Sequence, residues 1–130
     1  MVWIEIYTGD GIINDERIER IYARTPKRHK DNFEFCAEVN GKPWLIYSEN
    51  LPHKIVESVT KEAKENPKYE DYHEGQKAIH EAFLDHLSEI CDREDEIFSK
   101  ITSILLEAKK IDNNQIINFS ESLSREDSSE

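Results

Sequence analysis

Apolar and polar positions alternate from the first residues of the chain. Val2, Ile4 and Ile6 interleave with Trp3, Glu5 and Tyr7, the period-2 pattern of a half-buried strand, so residues 2–8 are predicted as strand. Gly9-Asp10-Gly11 closes it as a turn. A second alternation is clearer. Phe33, Phe35, Ala37 and Val39 precede Asn40-Gly41, and Trp44, Ile46 and Ser48 follow it. Asn and Gly both tolerate the positive φ of a type I′ turn, so residues 33–48 are predicted as a β-hairpin. Pro43 has no N–H to donate, and belongs where its strand has no partner on that side.

Residues 14–24 fit two readings. Asn14 and an acidic first turn suit a short helix presenting Ile18, Ile21 and Tyr22 on one face. The same residues also suit a strand over 17–24. The helix is slightly favoured, ending at Thr25-Pro26. Asn50-Leu51-Pro52 opens a helix over 52–65 with Ile55, Val56, Val59 and Ala63 as its apolar stripe, and Asn66-Pro67 ends it.

From Tyr72 to Ile111 the spacing alternates between three and four, through Ile79, Phe83, Leu87, Ile90, Ile97, Ile101, Ile104 and Ala108, with Gln76 and Glu94 as polar members. This is a heptad-like seam. One helix over 69–111 would run ~65 Å at 1.5 Å per residue, against roughly 36 Å for a compact globule of this size. It must overhang and pair with a second chain along the 72–111 seam, or break and fold back. Asp92–Glu96 is the expected break, since Glu94 interrupts the seam there. Residues 112–130 lose the pattern and mix serines with acids, which predicts a loosely docked or disordered tail in which Ile116, Ile117 and Phe119 are the residues able to dock.

The expected fold class is therefore α+β. A small antiparallel sheet of strand 2–8 and hairpin 33–48 packs on helices, with a long C-terminal helix or helical hairpin, in one domain over 1–111. The 130 residues are 37% hydrophobic and 35% charged, more charge than the ~25% of an ordinary domain. No apolar run approaches the ~20 residues of a membrane span, and the start lacks the regions of a secretory signal, so a cytoplasmic protein is expected. Cys36 and Cys91 lie far apart with no metal-type pairing, which predicts two free thiols, one on a strand and one on a helix.

Charge changes the picture most. The net is −11, which disfavours direct nucleic-acid binding. Yet six of the 17 Lys and Arg crowd into residues 17–30, against Glu19 alone. Arg17, Arg20 and Arg24 recur at i, i+3, i+7, with Lys27, Arg28 and Lys30 following. This basic island suits a phosphate-bearing ligand, with Tyr22 or Trp44 available for stacking, or it pairs with the chain's own acids. Residues 81–96 are its opposite. Glu81, Asp85, Glu89, Asp92 and Glu96, with Glu94 and Asp95, face Arg93 alone. Like charges one turn apart cost a few tenths of a kcal/mol per pair, and an acidic face that accepts this cost suits a basic protein partner.

Catalytic motifs are scarce. There is no GxSxG, P-loop or GxGxxG, and four glycines cannot build a phosphate cradle. Glu70 and His73 have the Glu-x-x-His spacing of a di-iron bundle, but no second pair exists. His73, His80, Glu81 and Asp85 form the one helix face where a metal-dependent enzyme is conceivable. The expectation is a non-enzymatic acidic protein without a cofactor. It would be an inhibitor or neutraliser of the immunity, antitoxin or phage anti-defence type, binding a basic partner.

Overall fold

In a computed structural model of the chain, which describes residues 1–24, 32–111 and 114–128, φ is 54° at Asn40 and 74° at Gly41. These are the left-handed values of a type I′ turn. They join β4 (Asn32–Val39) to β5 (Lys42–Asn50) as the predicted hairpin. Val39 faces Lys42 across the turn, so the next pair, Glu38 and Pro43, is a non-hydrogen-bonded one. The Pro43 nitrogen thus points to the outer edge of β5, an edge strand, where nothing needs its missing proton. The register slips between Phe35 and Cys36, which face Tyr47 and Leu45. Ile46 is the extra residue of this bulge, and both Ile46 and Tyr47 are buried as a result.

The other strand of this sheet is β3 (Arg20–Arg24), antiparallel to β4. The helix favoured for 14–24 is therefore replaced by β2 (Ile12–Asn14), one 3-10 turn at Asp15–Arg17, and β3. Asn14 does cap, accepting from the Glu16 N–H at 3.0 Å, but for that single turn. Strand pairing decides the rest. Ile21 and Ala23 turn to the core opposite Ala37 and Phe35, whereas Arg20 and Arg24 meet Glu38 and Glu34 on the other face. A helix would have offered these arginines no such partners.

β1 (Val2–Glu5) does not join the hairpin's sheet. It is the centre of a second three-stranded sheet, antiparallel to β2 and parallel to β6 (Gln115–Ile117). The two sheets touch through the Tyr7 N–H, which donates to the Leu45 carbonyl at 2.9 Å. The α+β class holds, with two sheets where one was expected. β6 and α4 (Phe119–Ser128) lie within the segment read as a tail. Ile117, Phe119 and Leu123 are buried in the core. Asn118 caps α4 through the Glu121 N–H and also donates to Glu5 at 3.1 Å.

The helices are α1 (His53–Glu65), α2 (Tyr72–Asp85) and α3 (Leu87–Lys110). Asp71 caps α2, accepting from the N–H groups of His73 and Glu74. Gly75 is needed behind that cap, since a Cβ there would lie 2.7 Å from the Tyr69 carbonyl oxygen. The helical stretch does break, but at His86 rather than at Asp92–Glu96, which lies inside α3. The heptad seam is spent within the chain: Ile90, Ile97, Ile101 and Ala108 enter the core beside Phe33, Phe35 and Ile4. Of the seam's other members, Ile79, Phe83, Glu94 and Ile104 are half-buried, and Tyr72, Gln76, Leu87 and Ile111 are exposed. α2 packs instead on α1, and this difference in packing direction bends the chain at His86. Among the described residues no helix is long and apolar enough to cross a membrane.

Candidate functional site

On β3 the alternation of a strand puts Arg20, Tyr22 and Arg24 on one face. Opposite them on β4 stand Glu38, Cys36 and Glu34. Arg20 Nε donates to Glu38 Oε2 at 2.6 Å, and the guanidinium lies 4.5 Å above the Tyr22 ring. Arg24 pairs with the buried Glu34. The hydrogen bond that each arginine donates to its carboxylate raises the arginine's pKa. Two of the island's arginines are thus neutralised by their own sheet, and Arg20 covers one face of the Tyr22 ring. Cys36 sits among them fully buried. Burial pushes its thiol up, against the smaller pull of Arg24, so it is a packed thiol and a poor nucleophile.

Arg17 stands apart on the 3-10 turn, with no hydrogen bond or ion pair among the described residues. It lines a groove of about 470 Å³ together with Trp3, Trp44 and Asp10. Lys27, Arg28 and Lys30 lie outside the described residues. The structure therefore does not bring Arg17, Arg20 and Arg24 to one point, because the i, i+3, i+7 stripe required a helix.

The acidic residues divide at the bend. Glu81 and Asp85 end α2, while Glu89, Asp92 and Glu96 start α3, all five exposed. Glu96 is shared by Arg93 at 3.2 Å and Lys100 at 3.6 Å. Glu89 lies 3.5 Å from His86 Nδ1. Glu81, Asp85 and Asp92 remain, with no hydrogen bond or ion pair among the described residues. Glu94 is half-buried, and that burial, then Asp95, raises its carboxyl pKa. His73 and His80 lie on α2, but among the described residues no group of three or more His, Cys, Asp or Glu is placed to hold a metal ion.

No protein family, curated protein or solved structure matches this chain.

Two side chains that sequence reasoning passed over organise the acidic region. Arg93 of α3 grips Glu49 of β5 with Nη2 at 2.9 and 3.0 Å and Nε at 3.1 Å. Its isolation among seven acids was the available signal. Burial alone would lower the pKa of Arg93, but Glu49 and Glu96 outweigh it and the net is upward. His86 is the second. Its Nε2 lies 2.9 Å from Glu62 Oε1 of α1, and its side chain is 16% exposed. Nothing in the sequence pairs residues 62 and 86.

The Glu62 hydrogen bond raises the pKa of His86, with burial opposing and the charges of Glu62 and Glu89 assisting. The ordinary histidine value is ~6.5, so the folded state holds this proton more tightly than the unfolded chain. The stabilisation is fully present below pH ~6.5 and is lost as pH rises through the folded pKa. Urea denaturation at pH ~6 and pH ~8 is expected to show a part of the pH difference that disappears in His86→Gln. Equal pH differences in wild type and variant would rule out the His86–Glu62 bond as their source.

Proposed function

We propose that the protein is a non-enzymatic, acidic interaction protein of the inhibitor or neutraliser class, acting in the cytoplasm on a basic protein partner. One observation carries this reading. Arg20 and Arg24 pair with carboxylates of β4, whereas Glu81, Asp85 and Asp92 stand exposed around the α2–α3 bend with no ion pair among the described residues. These three carboxylates are part of the acidic excess behind the chain's net charge of −11. Exposed carboxylates on a rigid helix bend accelerate and orient the approach of a basic surface. A phosphate-binding reading keeps only Arg17 as an unpaired arginine among the described part of the island, and has less support.

The test compares the tagged full-length chain with an E81K/D85K/D92K variant in capture from a native-host lysate. Basic proteins held by the wild type are expected to fall by about tenfold with the variant, the effect of a few rim charges. They should also fall when salt rises from ~0.05 M to ~0.5 M, which shortens the Debye length severalfold. Retention of the same proteins by the variant, at either salt, would sink the proposal.

A further inference from the structure

The sheet of β2, β1 and β6 has one face in the core, and on its other face Met1, Ile12 and Ile116 are exposed among the described residues. Register places Trp3 of the outer face between Asn14 and Ile116, with Ile12 beside Glu5. Met1 lies over Asn14, whose Nδ2 is 3.4 Å from the methionine sulfur. Past Ile12 the surface dips into the groove that ends at Trp44. Trp44, Ile12, Met1 and Ile116 are 42%, 48%, 53% and 64% exposed. Singly, such exposures are ordinary. Here residues 1, 3, 12, 44 and 116 converge from distant parts of the chain, and both of its tryptophans are among them. Apolar side chains gathered on one face, beside an arginine unpaired among the described residues, have the composition of an interface core.

Charge selects the occupant. A second copy of a chain with net charge −11 meets repulsion if it approaches the α2–α3 bend. At the groove, Asp10 and Arg17 cancel, and they stand within one lining. Among the described residues, Asp10 accepts from the Thr8 hydroxyl alone, at 2.9 Å, and Arg17 is unpaired. We infer that this face is a two-fold interface between copies of the chain. Trp3, Trp44, Ile12 and Ile116 form its apolar centre, and Arg17 of each protomer meets Asp10 of the other. Isologous symmetry makes that pairing occur twice. The 72–111 seam has less apolar surface left for a second copy, since Ile90, Ile97, Ile101 and Ala108 are buried in the chain's own core.

The dimer leaves the acidic surface open. β5 carries Trp44 at the groove and Glu49, the Arg93 anchor, five residues on, ~17 Å away at strand rise. Two acidic bends would therefore face solvent in each assembly, and a basic partner would not compete with dimerisation. The inference stands whether or not the partner reading does, because its readout is mass.

Sedimentation equilibrium of the full-length chain decides it. The expected mass is twice the 15.3 kDa of one chain. Ile116→Glu, at a position too exposed to threaten the fold, is expected to weaken association at least tenfold with an unchanged circular dichroism spectrum. Trp44→Glu should do the same. Arg17→Asp should also weaken it, and the double swap R17D/D10R should recover most of the loss, which a merely structural effect would not. A chain that stays monomeric at ~100 µM, far above the concentrations where a micromolar dimer forms, overturns the inference. So does a dimer that Ile116→Glu leaves untouched, or a swap without recovery. A monomer whose tryptophan fluorescence responds to a nucleotide would assign the groove to a small ligand and equally overturn it.

Discussion

Phe119→Ala is expected to cost about 3–5 kcal/mol, the range for deleting a buried aromatic side chain. Phe119 is 1% exposed and opens α4, between Ile117 of β6 and Leu123 one turn further on, both buried. The ring is enclosed by a helix and a sheet that Asn118 joins through its bonds to Glu5 and the Glu121 N–H. Such a site cannot collapse around the missing ring without dragging β6 from β1, so the upper part of the range applies. Against a total of 5–15 kcal/mol for a domain, the variant loses a large fraction of its stability. Urea denaturation measures it. A loss under ~0.5 kcal/mol, the usual size for a surface site, would show that residues 115–124 are a loose appendage after all.

Arg93→Met is expected to cost about 2–3 kcal/mol. Breaking a buried ion pair by removing one partner costs ~3–5 kcal/mol, and the 22–23% exposure of Glu49 and Arg93 reduces that figure. What is lost is a bidentate grip between α3 and β5, together with the Glu96 contact. What remains is a half-buried Glu49 carboxylate that, among the described residues, keeps the Tyr47 hydroxyl as donor at 2.9 Å. The stranded charge supplies most of the penalty, so R93M/E49L should be more stable than Arg93→Met alone. If the double variant is instead the less stable of the two, packing of the arginine stem and not its charge holds α3 to β5.

The hairpin was legible because Asn40-Gly41 acts locally. Positive φ at two adjacent residues is a property of those two side chains and needs no tertiary partner. The same holds for α1, bounded by Pro52 and Asn66-Pro67, and for the fact of a long apolar-striped helical stretch. Segment 14–24 was not legible, since Ile18, Ile21 and Tyr22 satisfy both periods and the choice fell to Glu38 and Glu34 across the sheet. The break in the helical stretch was placed at the wrong residue for a related reason. Charge density at Asp92–Glu96 costs only tenths of a kcal/mol per pair. The bend at His86 follows from α2 packing on α1 while α3 packs on the sheets.

The acidic and basic segments could be read from residue order, yet not their state. Arg20 and Arg24 look available in a list of charges, and only the β3–β4 register shows them occupied. The Trp3–Trp44 groove had no linear signature at all, because its members come from strands 41 positions apart. By itself, then, the sequence determined the α+β class, the hairpin, the helical stretch and the sign of the surface. These rest on interactions within a few residues or on simple composition. The tertiary structure alone decided the division into two sheets, the bend at His86, the docking of Phe119 and which charges remain unpaired. Those depend on contacts between residues far apart in the chain, whose energies local periodicity does not encode.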